Sequence, residues 1–99
     1  MGNFRNILDE YAEGSVILDG FDDAIIGITE EFGRGPRILY SKDKILDILS
    51  EDMDFMEALE YFEFNILGAY LGEGTPIFLD KTINEIKDEM SWNINDRNK

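Results

Sequence analysis

Apolar positions along the chain fall into blocks with two different periods, and the longest block lies at 54–70. There the order Asp54-Phe55-Met56-Glu57-Ala58-Leu59-Glu60-Tyr61-Phe62-Glu63-Phe64-Asn65-Ile66-Leu67-Gly68-Ala69-Tyr70 predicts the longest helix. At about 100° per residue, Phe55, Leu59, Phe62, Ile66 and Ala69 form one stripe, with Ala58 and Tyr70 at its margins. Met56, Phe64 and Leu67 lie on the far side, with Met53 just before the helix. Asp54, Glu57, Glu60 and Glu63 recur every third residue, so they wind across the helix instead of forming one polar face. Asp54 and Glu57 have the spacing of a capping box, with Asp in place of the usual Ser or Thr, which marks the helix start. A simple surface helix carries one apolar stripe; this one carries two, threaded by carboxylates. Either another layer of the same chain, such as the C-terminal segment, covers the second stripe, or a partner does.

The remaining blocks are shorter. Phe4, Ile7, Leu8 and Tyr11 fall at i, i+3, i+4 and i+7 and predict an amphipathic helix that ends near Gly14. Residues 15–20 are an apolar run stopped by Asp19-Gly20, readable as a strand or an extended lead-in. Asp22 and Asp23 occupy the turn after it. The β-branched run 24–29 is a strand in which Gly27 marks a bulge or a close approach. A turn at 32–36 leads to a second strand at 37–40, and so short a connection predicts antiparallel pairing. Ser41 caps a helix from Lys42 to about Leu49, with Ile45, Ile48 and Leu49 inward. Gly68 or Gly72 ends the central helix. Residues 77–79 form a third strand that returns to the sheet after a helical connection, where a place beside the first strand is open to it.

Thr82 and Glu85 form a capping box for a final helix with Ile83, Ile86 and Met90 inward. From Ser91 the chain becomes polar and Asn-rich, which predicts a flexible tail with Trp92 as its anchor. The expected fold is therefore α+β: a small, mainly antiparallel sheet of three strands with helices packed on one face. It forms a single domain over 1–90, followed by a polar tail at 91–99.

Composition narrows what such a domain does. The length of 99 residues suits one modest core. There is no cysteine, which excludes disulfides and thiolate metal sites. There is no histidine, which removes the commonest general base and nitrogen ligand. No apolar run reaches the length of a membrane helix, and Met1-Gly2-Asn3-Phe4-Arg5 lacks the start of a signal peptide. Gly2 with Asn6 does not satisfy the myristoylation pattern. The expectation is a cytoplasmic protein. A formal net charge of -13 argues against direct binding to nucleic acid or an anionic membrane and favours solubility, a protein partner with a basic surface, or both.

The carboxylates are the only abundant reactive groups. Asp22-Asp23 has the composition of a hard-cation or acid/base pair, but a solvated turn accounts for it. Glu51, Asp52 and Asp54 lack the glycine and bidentate Glu of a calcium loop. Gly33-Arg34-Gly35 and Gly72-Glu73-Gly74 lack the rest of a phosphate loop, and Glu73 sits where a phosphate would. No serine or threonine has a base to activate it. No catalytic, cofactor-binding or metal-binding residue is assigned, and the chain is not expected to be an enzyme. Asn65, near the edge of the core face, either bonds to the 72–76 loop or joins Glu73 in a recognition surface.

Acids three apart on a helix rise about 4.5 Å along its axis, not far from the roughly 3.4 Å spacing of phosphates along one DNA strand. Asp19, Asp22, Asp23, Glu30 and Glu31 lie nearby in sequence, so the surface has the makings of a DNA mimic. Exposed Phe64 and Met56 argue instead for a mixed apolar and acidic interface. The partner-binding residues assigned on this basis are Asp54, Met56, Glu57, Glu60, Glu63, Phe64, Leu67 and Glu73.

Three blocks carry a resemblance. Leu18-Asp19-Gly20-Phe21-Asp22-Asp23-Ala24-Ile25-Ile26-Gly27, Glu57-Ala58-Leu59-Glu60-Tyr61-Phe62-Glu63-Phe64-Asn65 and Gly68-Ala69-Tyr70-Leu71-Gly72-Glu73-Gly74-Thr75-Pro76-Ile77-Phe78 resemble a family of small acidic tailed-bacteriophage proteins of unassigned function. The similarity covers residues 16–80 and supplies no catalytic residue. It implies a phage origin, action in the cytoplasm of a bacterial host cell, and a role in binding and inhibiting or redirecting a host protein, as in host takeover or anti-defence. The alternative is a self-assembling structural or small-ligand-binding phage protein, with Phe64 and Leu67 in a homodimer contact.

Overall fold

The structure is a computed structural model that describes residues 8, 10, 14–69, 71, 72 and 74–97. Its three strands are β1 (Ile25–Ile28), β2 (Ile38–Ser41) and β3 (Ile77–Leu79), in the order β1-β2-β3. β1 and β2 pair antiparallel, with Ile25 opposite Tyr40 and Ile28 opposite Ile38. The register slips between Ile25 and Gly27, the bulge that the glycine signals. β3 runs parallel to β2, with Leu39 opposite Ile77, Tyr40 opposite Phe78 and Ser41 opposite Leu79. The fold is α+β as expected, but the sheet is mixed, and the third strand lies beside β2, not β1. A parallel neighbour needs a long crossover, and the helical stretch between β2 and β3 supplies it.

Each helix starts at a side chain that satisfies its free backbone donors. Ser41 Oγ accepts from the Lys44 N–H at 3.3 Å and opens α1 (Lys42–Leu49). Asp54 accepts from the Glu57 N–H at 2.9 Å and opens α2 (Phe55–Tyr61), which continues as a π-helical segment, Phe62–Leu67. Thr82 and Glu85 close a reciprocal capping box at the start of α3 (Ile83–Arg97). The Thr82 N–H donates to the Glu85 carboxylate at 2.9 Å, and the Glu85 N–H donates to Thr82 Oγ1 at 3.1 Å. α3 continues seven residues past its expected end at Met90, because no Gly or Pro interrupts the chain there. Trp92 lies within α3, and the anchoring role expected of its side chain falls outside what the structure describes.

Residues 15–20 form an extended lead-in and not a strand. The Val16 N–H donates to the Gly74 carbonyl at 3.0 Å, and Ser15 Oγ donates to the Pro36 carbonyl at 2.7 Å. A Cβ at Gly74 would run into the backbone carbonyl of Gly14, so only glycine lets these two segments meet. A single 3-10 turn, Asp22–Ala24, then feeds β1. Most of the expected N-terminal helix lies outside the described residues; Leu8 and Glu10 are helical, and Leu8 is buried.

The core lies between one face of the sheet and the helices. Ile38 and Tyr40 of β2, Ile45 and Leu46 of α1, Ala58 of α2, and Phe62 are buried there together with Ala24 and Leu8. Phe78 binds the layers: its ring stacks on Tyr40 at 6.0 Å and meets Phe62 edge-on at 5.3 Å. Ile48, Leu49, Leu59 and Ile66 flank this cluster. Two inward assignments are corrected. Phe55, the first residue of α2, is exposed, and Ala58 takes the buried place one turn on. Ile83 and Met90 of α3 are exposed, while Ile86 is half-buried. Among the described residues no helix is long and apolar enough to cross a membrane.

Candidate functional site

The central helix changes its winding after Tyr61, partway along its second apolar stripe. The Gly68 N–H donates to the Glu63 carbonyl, five residues back, at 3.0 Å. A turn closed over five residues is wider than an α turn, so each residue after Tyr61 advances by less than about 100°. A Cβ at Gly68 would stand 2.9 Å from the Glu63 carbonyl oxygen, so glycine is what allows the wide turn to close. Phe64 and Asn65 lie on the side of the helix that Glu57, Glu60 and Tyr61 occupy.

On that side Met53, Glu57, Glu60, Tyr61, Phe64 and Asn65 line an open groove of about 350 Å³. Glu57, Glu60 and Tyr61 come from α2, Phe64 and Asn65 from the π-helical segment, and Met53 from the bend before the helix cap. Phe64 is 77% exposed and Tyr61 43%. Glu57 and Glu60 are exposed, as is Glu63 beside them, and among the described residues none of the three has an ion-pair partner.

The reason lies in the chain itself. Between Lys44 and Lys81 there is no Lys or Arg, but there are nine carboxylates: Asp47, Glu51, Asp52, Asp54, Glu57, Glu60, Glu63, Glu73 and Asp80. Of the nearby cations, Lys42 and Lys81 pair with carboxylates outside the groove. Lys42 Nζ lies 3.3 Å from Asp80 and 5.7 Å from the centre of the Phe62 ring, and Lys81 pairs with Glu89 at 2.8 Å.

The eight residues assigned from the sequence do not form one patch. Glu57, Glu60 and Phe64 converge on the groove. Leu67 opens instead onto a separate cleft of about 330 Å³, shared with Gly68, Ala69 and the 75–78 segment. Met56 and Glu63 are exposed but line neither depression. Asp54 stands at the helix start, where hydrogen bonds from the Glu57 N–H hold its carboxyl below the usual range and keep it a charged cap. Glu73 lies outside the described residues. Asn65 lines the groove, whereas the cleft beside 75–78 is lined without it. Met53 and Tyr61 belong to the groove and were missed; for Tyr61 the four-residue spacing from Glu57 was the signal that could have found it.

The other candidates carry less. A depression of about 480 Å³ lies under the turn after β1, lined by Ile28, Thr29, Glu30, Glu31, Arg34 and Pro36. Glu31 there is paired within the chain: the Arg37 guanidinium hydrogen-bonds it and holds its carboxyl below the usual range, and Arg34 Nε lies 4.0 Å from the same carboxylate. Asp22, Asp23, Glu51 and Asp52 take part in no metal-binding cluster, for among the described residues no three carboxylates converge on one point. Comparison with protein-family models, curated proteins and solved structures finds no match to this chain.

Proposed function

We propose that this chain is a non-enzymatic bacteriophage protein that acts in the cytoplasm of a bacterial host cell. It binds a basic host protein through the groove on its central helix and inhibits or redirects that protein. The observation that carries this reading is Phe64, a large aromatic 77% exposed, standing beside carboxylates that nothing among the described residues neutralises. Exposed aromatics give an interface its anchor, and unpaired charge gives it partner choice and a fast encounter. Met53, Tyr61 and Phe64 in the same groove as Glu57 and Glu60 favour a mixed interface over a pure imitation of DNA. Affinity capture from host lysate tests the reading, with the Glu57→Lys/Glu60→Lys/Glu63→Lys variant as control. A single host protein held by the wild type, released by salt and lost in the variant supports it. Capture of the same proteins by both chains would refute it.

Self-assembly is the second reading. It draws on Ile83 and Met90, which lie seven apart on α3 and are both exposed. A solution mass equal to that of one chain at high concentration would count against it.

A further inference from the structure

We infer that the groove on the central helix is built to take an arginine side chain of the partner protein, in preference to a lysine. The inference rests on the reading of this groove as the partner-binding face, and it names the group recognised there.

A guanidinium is planar, presents five N–H donors, stacks on aromatic faces and sheds water more readily than an ammonium. The groove answers each property. Glu57 and Glu60 both line it and together offer four carboxylate oxygens, and the Asn65 amide oxygen adds a further acceptor. Tyr61 and Phe64 bring two exposed aromatic rings to the same groove, on whose faces a flat cation can lie. Met53 adds a thioether that packs well against a methylene stem. A lysine ammonium would satisfy the charge but leave the aromatic faces and the paired acceptors poorly used.

Charge complementarity also selects the occupant. The 45–80 stretch has no Lys or Arg of its own, and among the described residues no cation forms an ion pair with Glu57, Glu60 or Glu63, so these carboxylates are left for a positive charge on the partner.

The test uses the full chain and short blocked peptides that differ only in one central side chain: arginine, lysine or citrulline. Amide NMR at low salt reads both the site and the affinity. The arginine peptide is expected to move the signals of Tyr61, Phe64 and Asn65 and to bind about tenfold more tightly than the lysine peptide. Citrulline, similar in shape but uncharged, is expected to bind at least as weakly as lysine. Phe64→Leu, at an exposed position that leaves the fold intact, should erase the preference for arginine while retaining lysine binding. Glu57→Gln with Glu60→Gln should weaken both.

Equal binding of the arginine and lysine peptides at the groove would overturn the inference and leave the partner-binding reading standing. Equal binding of arginine and citrulline would overturn it as recognition of charge. If no peptide moves the groove signals, the inference fails, and capture from lysate then decides the broader reading on its own.

Discussion

Phe62 and Phe64 are separated by one residue and occupy opposite environments: the first is 1% exposed with its ring edge-on to Phe78, and the second is 77% exposed on the groove wall. Truncation should separate stability from binding. Phe62→Ala removes a core ring and is expected to cost about 3–5 kcal/mol. Phe64→Ala is expected to change stability by no more than about 0.5 kcal/mol, yet to abolish capture of the host partner. Urea unfolding and the capture experiment read the two effects. A large loss of stability in Phe64→Ala would show that the ring is covered by the chain itself.

Tyr40 ties the lead-in to the sheet. Its ring is fully buried, and its hydroxyl accepts from the Leu18 N–H at 2.7 Å. Tyr40→Phe leaves the ring but strands that N–H, so a loss of about 1–2 kcal/mol is expected. Hydrogen exchange at Leu18 should accelerate more than exchange at Ile38, because the first site loses its direct acceptor while the second keeps the β1–β2 ladder. Equal acceleration at both sites would mean that the hydroxyl serves the whole core and not this attachment.

Gly68 controls the wide turn. Gly68→Ala sets a methyl against the Glu63 carbonyl, so the five-residue closure must open or shift. The expected result is a loss of about 1–3 kcal/mol together with NMR shifts at Phe64 and Asn65 and weaker partner binding. Alanine is otherwise the better helix former than glycine, so a stabilised variant would show that an ordinary α turn serves equally well there.

The carboxylates divide by sign of shift. Hydrogen bonds from Glu57 hold Asp54 low, the Arg37 guanidinium holds Glu31 low, and the Thr82 cap holds Glu85 low. For these groups the stabilisation is complete above their unfolded values and is lost as pH falls through their folded values. Asp43 behaves in the opposite way, because partial withdrawal from water and then the charge of Glu85 raise its carboxyl. Its contribution is complete below its unfolded value and is lost as pH rises through its folded one. Carboxyl titration by NMR should therefore place Asp54 below the ordinary Asp value of 3.8 and Asp43 above it. The reverse order would contradict both the cap hydrogen bond assigned to Asp54 and the partial withdrawal from water assigned to Asp43. Removing the shared charge by Asp43→Asn should raise stability at neutral pH and lessen its dependence on pH near the joint between α1 and α3.

Local chemistry was legible wherever a single residue suffices to dictate it. Ser41, Asp54 and the Thr82–Glu85 pair cap their helices as their spacing requires. The strand at 77–79 and the bulge beside Gly27 also follow from the local pattern. The placement of β3 was not legible, since a three-residue strand satisfies either neighbour and only the path of the crossover helices selects β2. Nor was the division of the binding residues. A constant advance of about 100° per residue sets Phe64 and Leu67 on a common far side, whereas the wide turn after Tyr61 sends them to different depressions.

What the sequence by itself determined is the set of elements, their caps, the two apolar stripes of the central helix and the run of 45–80 without a cation. These depend on neighbours one to four residues apart, whose interactions do not wait for the rest of the chain to fold. What only the tertiary structure decided is which stripe is covered. Phe78 arrives from β3 to bury Phe62, while among the described residues nothing arrives to bury Phe64. Burial is a contest among segments distant in sequence for a limited core, and a pattern of local spacings carries no information about which segment wins.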